Sequence, residues 1–239
     1  HLYKATKYKK MMKIEFKKSS VPEYIQPSDW ADWTWQLRSS LKTIQDFSRF
    51  FDLSDFEKKA FENGSEIFNV RTTPYYAGLA SKTNVYDPIR RILVPHEKEL
   101  FDQKQAEFDP LGERKSANQK TARIIHRYSD RVLFLVTDIC SVYCRYCTRK
   151  HFTGTDQAFI KSNEYEEALQ YIRNNKGLRE VILSGGDPLT ISDAQLDRVL
   201  FDLRKIDHIE IIRIGSRMPV VAPMRVKDDL VKIIKKNKP

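Results

Sequence analysis

The chain has 239 residues, of which 41% are hydrophobic, so it is long enough for one or two globular domains with a sizeable core. No apolar run approaches the roughly 20 residues that cross a bilayer, and the lysine-rich start lacks the apolar stretch of a secretory signal. We therefore expect a cytoplasmic protein without a membrane partner. The net charge of +10 comes largely from lysines at the two ends, without an RNA-binding motif, so the sequence does not favour nucleic acid as a partner.

The first part of the chain, residues 1–126, reads as a mainly helical region. The stretch PSDWADWTWQLRSSLKTIQDF predicts one helix that begins behind Ser28, because its large apolar residues recur at three- and four-residue steps. These residues are Trp30, Trp33, Leu37, Leu41 and Ile44. Ser54 and Glu57 form a capping box for a second helix, and Pro95 precedes a third through HEKELFDQ. We expect the tryptophans to serve packing rather than cofactor binding.

From residue 127 to residue 239 the pattern changes to short apolar runs that alternate with helices. The runs 132–137, 180–184 and 209–214 have strand length, and an amphipathic segment follows each one. Three successive βα units with nearly continuous apolar strands predict an α/β fold with a parallel sheet, which is part of a TIM-type barrel. The last stretch, VKIIKKNKP, breaks off where another strand would follow, and the chain starts at His1, so we expect a truncated chain.

All three cysteines follow the first of these strands. Cys140, Cys144 and Cys147 are separated by three and then two residues, which argues for a metal or cluster site rather than a disulfide framework. Three thiolates can hold three irons of a [4Fe-4S] cluster and leave the fourth iron open to a ligand. The alternative is structural zinc, with His151 as the fourth ligand. The buried strand before the loop and the glycine motif after the next strand favour the cluster.

The segment SGGDP, which we call the glycine loop (residues 184–188), follows the second strand. Paired glycines allow a backbone to approach a ligand closely, and Ser184, Gly185, Gly186 and Asp187 are candidates for binding a ligand amine. A simple turn at the end of a strand would use the same residues.

Several motifs together resemble the lysine 2,3-aminomutase family of radical S-adenosylmethionine enzymes. They are DWADWTWQLR, RTTPYY, HRYSDRVLFLVTDICSVYCRYCTRKHFTG, VILSGGDPL and IRIGSRMPVV, in family order from about Ser28 onwards. The resemblance implies that Cys140, Cys144 and Cys147 ligate a catalytic [4Fe-4S] cluster. It also implies that S-adenosylmethionine contacts Tyr146, the glycine loop residues and Arg217. Pro188 departs from the alanine expected at its position, which leaves that turn uncertain.

The resemblance implies a second cofactor, pyridoxal 5'-phosphate, whose phosphate would be held by Arg127 and Arg131, with Tyr128 against the ring. A solvated basic edge is the alternative for these three residues. Arg149 matches the family residue that binds the substrate carboxylate. The Schiff-base lysine and the distal substrate contacts of the family have no counterpart in this chain.

The implied activity is an isomerase reaction that moves the α-amino group of an L-amino acid, with L-lysine first, to the β-carbon. Glutamate, arginine or a protein lysine is the alternative substrate, and a zinc-stabilised nucleic-acid-binding module is the alternative of a different class. The expected partners are a small amino acid, an electron donor such as flavodoxin or ferredoxin, and further copies of the chain in a homo-oligomer.

Overall fold

The computed structural model describes residues 22, 25–64, 69–101, 109–115, 117–149, 153 and 158–238. Short helices make up the regular structure described before the sheet. They are α1 (Pro27–Trp30), α2 (Trp33–Arg38), α3 (Ile44–Ser48), α4 (Asp55–Gly64), α5 (Pro74–Ala77), α6 (Pro88–Leu93) and α7 (Lys98–Phe101).

The single helix predicted from Ser28 onwards is wrong, because the segment forms three short helices. Asp32 accepts a hydrogen bond from the backbone N of Thr34 at 2.8 Å and so begins α2 after α1 has ended. Thr43 and Asp46 form a capping box that begins α3. Side chains that bond the backbone locally compete with helix continuation, which explains the two breaks. Between them, Leu41 pairs with Thr72 in an isolated antiparallel bridge.

The other two helix starts are at or near their predicted places. The capping box of α4 is confirmed, since the backbone N of Ser54 donates to Glu57 Oε2 at 2.8 Å and that of Glu57 donates to Ser54 Oγ at 3.4 Å. Helix α7 begins at Lys98, three residues after Pro95, and the predicted end of this helix lies outside the described residues.

The second part of the chain builds the predicted βα units. Strands β2 (Arg131–Thr137), β3 (Glu180–Gly185) and β4 (Ile211–Ile214) pair in parallel and in sequence order. They are followed by helices α8 (Ser162–Asn174), α9 (Asp193–Arg204), α10 (Met218–Val221) and α11 (Asp228–Asn237). The α/β class and the partial barrel are therefore confirmed. Because the strands are parallel, the loops after β2, β3 and β4 lie at one edge of the sheet.

A strand that the sequence did not predict, β1 (Ile124–Tyr128), pairs antiparallel with β2 through a turn at Ser129 and Asp130. Strand β1 spans the expected boundary between residues 126 and 127, so the sheet begins before the second region does. It covers the edge of β2 that the three parallel strands would leave unpaired.

The core lies between the sheet and helices α8, α9 and α11. Strand residues such as Phe134, Val181 and Leu183 are fully buried and pack in one cluster with Leu169, Leu196 and Leu200 of the helices. Trp30 is also buried, in line with the expectation that the tryptophans serve packing. Within the described part of the chain, none of the helices combines the length and apolarity that crossing a membrane requires.

Candidate functional site

A cavity of about 240 Å³ lies where the loops after β2, β3 and β4 meet. It brings together eight of the residues singled out from the sequence. They are Cys140, Cys144, Cys147, Arg149, Ser184, Gly186, Asp187 and Arg217. Gly185 and Tyr146 do not line it, although both lie next to residues that do. The parallel sheet thus places at one edge side chains that lie up to 77 residues apart in the sequence (Cys140 to Arg217).

The three thiols belong to the loop after β2, which we call the cysteine loop (residues 138–149). Burial raises the pKa of Cys140 and of Cys144, and the charge of Arg217 opposes that rise at Cys144. Burial therefore favours the neutral thiol at Cys140 and Cys144, and metal binding would replace that proton.

The three thiols could serve as ligands of one group, because Cys140, Cys144 and Cys147 line the same cavity. In a [4Fe-4S] cluster each thiolate would hold a different iron. The zinc alternative depends on His151, which lies outside the described residues.

The glycine loop packs directly on the end of β2 and on the cysteine loop that follows it. The backbone N of Gly186 donates to the carbonyl of Thr137 at 2.7 Å, and that of Asp187 donates to the carbonyl of Ile139 at 2.8 Å. A Cβ on Gly185 would lie 2.2 Å from the Thr137 oxygen, and one on Gly186 would lie 2.2 Å from the Ile139 oxygen. The close approach that paired glycines permit is thus made to the neighbouring loop.

The carboxylate of Asp187 joins the loop after β3 to the loop after β4. Its Oδ1 accepts from Ser216 Oγ at 2.6 Å and from the backbone N of Leu189 at 3.0 Å. Its Oδ2 accepts from the backbone N of Arg217 at 2.7 Å and of Met218 at 3.1 Å. Burial raises the pKa of the Asp187 carboxyl, and these hydrogen bonds oppose the rise. Asp187 therefore holds the backbone from which the Arg217 side chain extends.

Arg217 lies beside a cysteine and between two tyrosines. Its Nη1 donates to Cys144 Sγ at 2.8 Å and also to the Tyr146 hydroxyl. Its Nη2 donates to the Tyr76 hydroxyl at 3.2 Å, and the guanidinium carbon lies 5.7 Å from the centre of the Tyr76 ring. Tyr146 is 66% exposed, whereas Tyr76, which comes from α5, is buried. A fixed positive charge beside Cys144 favours a thiolate there.

Arg149 is held by two side chains. Its Nε and Nη2 donate to the two carboxylate oxygens of Glu113, each at 2.6 Å, and its Nη1 donates to Ser184 Oγ at 3.0 Å. The hydrogen bonds and the charge of Glu113 raise the pKa of Arg149 further above its usual range, against the effect of burial. Arg149 is therefore a fixed cation in the cavity wall.

The three residues expected to hold pyridoxal phosphate are not brought into this cavity. Arg127, Tyr128 and Arg131 lie at the β1–β2 turn, where β2 begins, whereas the cysteine loop follows the end of β2. The six residue steps along β2 put about 20 Å between these two edges of the sheet. Arg131 donates to Asp130 at 2.9 and 2.8 Å, and Arg127 Nη1 donates to the Leu111 carbonyl at 3.0 Å. The described residues do not assemble a site for this cofactor, and its placement stays a prediction.

Several residues of the site did not stand out in the sequence, and three of them contact residues that did. Ser216, next to Arg217 in the IGSR motif, had a signal, because it directly follows a strand of the parallel sheet. Tyr76 lies in RTTPYY, a motif used only for resemblance, and Glu113 lies in a segment without periodicity. Neither Tyr76 nor Glu113 could be linked to the cavity by local pattern, because each reaches it through contacts distant in sequence.

Comparison with known proteins finds one matching domain model and several similar proteins. Residues 134–239 match the family model described as the radical SAM superfamily. The chain is 39% identical over 216 residues to the L-lysine 2,3-aminomutase of Acetoanaerobium sticklandii, covering 90% of this chain and 52% of that protein. The corresponding protein of Clostridium subterminale is 38% identical, covering 90% and 51%, and the glutamate 2,3-aminomutase of Clostridioides difficile is 32% identical, covering 88% and 49%.

The chain spans about half the length of the curated relatives it matches. The matched residues contain the cysteine loop, the glycine loop and Arg217, which are the elements that form the cavity. Residues 134–239 therefore form a radical S-adenosylmethionine domain, and the chain over about nine-tenths of its length is similar to the L-lysine 2,3-aminomutases.

Proposed function

We propose that the protein is a radical S-adenosylmethionine 2,3-aminomutase, which moves the α-amino group of an L-amino acid to the β-carbon. L-Lysine is the first candidate substrate, because five relatives named L-lysine 2,3-aminomutase are 38–40% identical, whereas a relative named glutamate 2,3-aminomutase is 32% identical. The observation that carries the proposal is the single cavity in which three thiols, the glycine loop and two fixed arginines meet.

In this proposal Cys140, Cys144 and Cys147 hold a [4Fe-4S] cluster. When bound, the cluster supplies the single electron that cleaves S-adenosylmethionine and so makes a radical able to abstract hydrogen. The electron would come from a donor protein such as flavodoxin or ferredoxin. The chain itself binds and orients these groups and excludes water, which protects a reactive radical from side reactions.

The cavity residues have separate tasks. Ser184, Gly185, Gly186 and Asp187, with Tyr146, would bind S-adenosylmethionine beside the cluster. Asp187 has its carboxylate oxygens engaged by the loop after β4, so its contribution would be to hold that loop in place.

Arg217, held by that loop, places a positive charge 2.8 Å from Cys144 Sγ, where a thiolate ligand would lie. Arg149 would bind the carboxylate of the amino acid through its N–H groups, because a planar guanidinium matches a carboxylate.

Pyridoxal phosphate is proposed from the family resemblance, with Arg127, Tyr128 and Arg131 as its candidate contacts. In the described part of the chain these three side chains lie away from the cavity. Assembly into a homo-oligomer is proposed on the same basis.

The proposal is tested by anaerobic reconstitution with iron and sulfide. We expect about four irons per chain and a cluster spectrum that changes when S-adenosylmethionine is added, since one iron has no protein ligand. Cys144→Ala should abolish this iron binding, whereas Ser162→Ala, a substitution remote from the cavity, should leave it unchanged. Stoichiometric zinc without iron uptake would instead favour the zinc module.

A further inference from the structure

The clamp on Arg149 leaves part of its guanidinium available. A guanidinium carries five N–H donors, and within the described residues two of them go to Glu113 and one goes to Ser184. Two donors remain, one on each Nη nitrogen. Glu113 takes the edge of the guanidinium formed by Nε and Nη2, so a second carboxylate has one remaining N–H group on Nη1 and one on Nη2 as donors.

Glu113 lies behind Arg149 with respect to the cavity. Arg149 and Ser184 line the cavity wall, whereas Glu113 does not, and Glu113 is only 6% exposed. The Glu113 backbone is fixed as well, because Asp109 accepts from the backbone N of Glu113 at 2.9 Å and of Arg114 at 2.7 Å. The carboxylate therefore approaches Arg149 from the protein side, and its loop holds it there.

An incoming carboxylate would gain little by displacing Glu113. Both carboxylate oxygens of Glu113 are bonded to Arg149, at 2.6 Å each. Displacement would leave a buried carboxylate without its cation, which is strongly unfavourable. Binding at the two remaining donors breaks neither of these bonds. The geometry thus favours three groups around one guanidinium over an exchange of one carboxylate for another.

We propose that Glu113 is a positioning residue, which fixes the Arg149 guanidinium so that its two remaining N–H groups bind the carboxylate of the amino-acid substrate. The inference rests on the proposed function, since it deepens the role given there to Arg149. Substrate orientation then depends in part on the segment before β1. Glu113, which belongs to that segment, acts without lining the cavity itself.

The test compares an amino acid with its amide. The whole protein, reconstituted anaerobically with its cofactors, is titrated calorimetrically with L-lysine and with L-lysinamide, which lacks the carboxylate charge. Wild type should bind lysine more tightly than lysinamide. In Glu113→Gln this preference should fall roughly 10- to 100-fold, as is typical when a partner that orients a binding group is lost. Lysinamide affinity and iron content should stay the same.

Two further variants separate positioning from stability. Glu57→Gln is the matched control, because Glu57 also holds a buried arginine, Arg90, at 3.0 and 2.8 Å, but lies outside the cavity. This control should lose stability and keep the preference for lysine. Glu113→Asp keeps the charge on a shorter side chain, so its preference for lysine over lysinamide should lie between those of wild type and Glu113→Gln. This variant also replaces Glu113→Gln in the test if the glutamine variant does not fold.

The possible failures are distinguishable. If wild type prefers lysine and Glu113→Gln or Glu113→Asp prefers it as strongly, the positioning role is overturned while the proposed function stands. If wild type binds lysine and lysinamide equally, Arg149 does not bind the carboxylate, and both the assignment of Arg149 and the role of Glu113 are overturned.

Discussion

Replacing Gly186 with alanine should force the glycine loop away from the cysteine loop. The added Cβ would lie 2.2, 2.5 and 2.8 Å from the O, C and N atoms of Ile139. All three are backbone atoms, so no flexible side chain can yield. Moving the glycine loop away weakens its hydrogen bonds to Thr137 at the end of β2, at 2.7 Å, and to Ile139 of the cysteine loop, at 2.8 Å, each worth about 1 kcal/mol. Overpacking adds about 1–3 kcal/mol.

Together these effects predict that Gly186→Ala lowers the free energy of unfolding by about 3–5 kcal/mol, a large part of the stability of an ordinary domain. Iron uptake should fall too, because the cysteine loop is displaced at its base. The assay is denaturant unfolding followed by circular dichroism, with iron content measured after reconstitution. Gly177→Ala is the control, since its Cβ would meet only one atom, at 3.9 Å. A Gly186→Ala protein within about 0.5 kcal/mol of wild type, with full iron content, would refute the reasoning.

Two other substitutions test the site and the fold. Arg149→Lys should weaken amino-acid binding, measured by calorimetry, and leave iron uptake intact. Lysine keeps the charge but lacks the planar guanidinium that bonds Glu113 and a second carboxylate. An unchanged affinity for the amino acid would contradict the assignment of Arg149. Burial raises the pKa of Glu57, but hydrogen bonds from Arg90 and Ser54 and the charge of Arg90 bring it below its usual 4.5. A carboxyl whose pKa is lowered by folding stabilises the folded state at pH values above its ordinary pKa, and this stabilisation is lost as the pH falls. The difference in free energy of unfolding between wild type and Glu57→Gln should therefore shrink below pH 4.5. A difference that stays constant with pH would contradict this role of Glu57.

The three βα units could be predicted from the sequence because each strand is a short apolar run and each helix has its own amphipathic period. The breaks in the helix predicted from Ser28 also had a local signal. Asp32 and Thr43 are helix-capping residue types, and the apolar period that runs across them outweighed that signal in our prediction. Strand β1 has only five residues and its exposed end carries no alternation, so pairing with β2 decides its structure.

The cavity was predictable where motifs follow strands and unpredictable where contacts come from far along the chain. Cys140, Asp187 and Arg217 each follow a parallel strand, which places them at one edge of the sheet. Glu113 reaches Arg149 across 36 residues, and nothing in its own segment indicates that contact. The paired glycines were recognised, but their close neighbour is backbone of the cysteine loop, a fact that only the register of β2 against β3 determines.

The mainly helical region before the sheet helps to hold the cysteine loop in place. The cysteine loop has little regular structure, so its backbone N–H groups need partners elsewhere. The backbone N of Tyr143 donates to the carbonyl of Arg71 at 3.0 Å, and that of Arg145 donates to the carbonyl of Ile92 at 3.1 Å.

Side chains extend this support. Arg145 Nη2 donates to Glu99 Oε2 at 2.6 Å, and Tyr76 bonds Arg217 beside Cys144. The loop that carries the thiols is therefore held on one side by the glycine loop and on the other by residues that precede the sheet. The site therefore draws on both regions of the chain, because backbone N–H groups of the cysteine loop in the second region find their acceptors in the first.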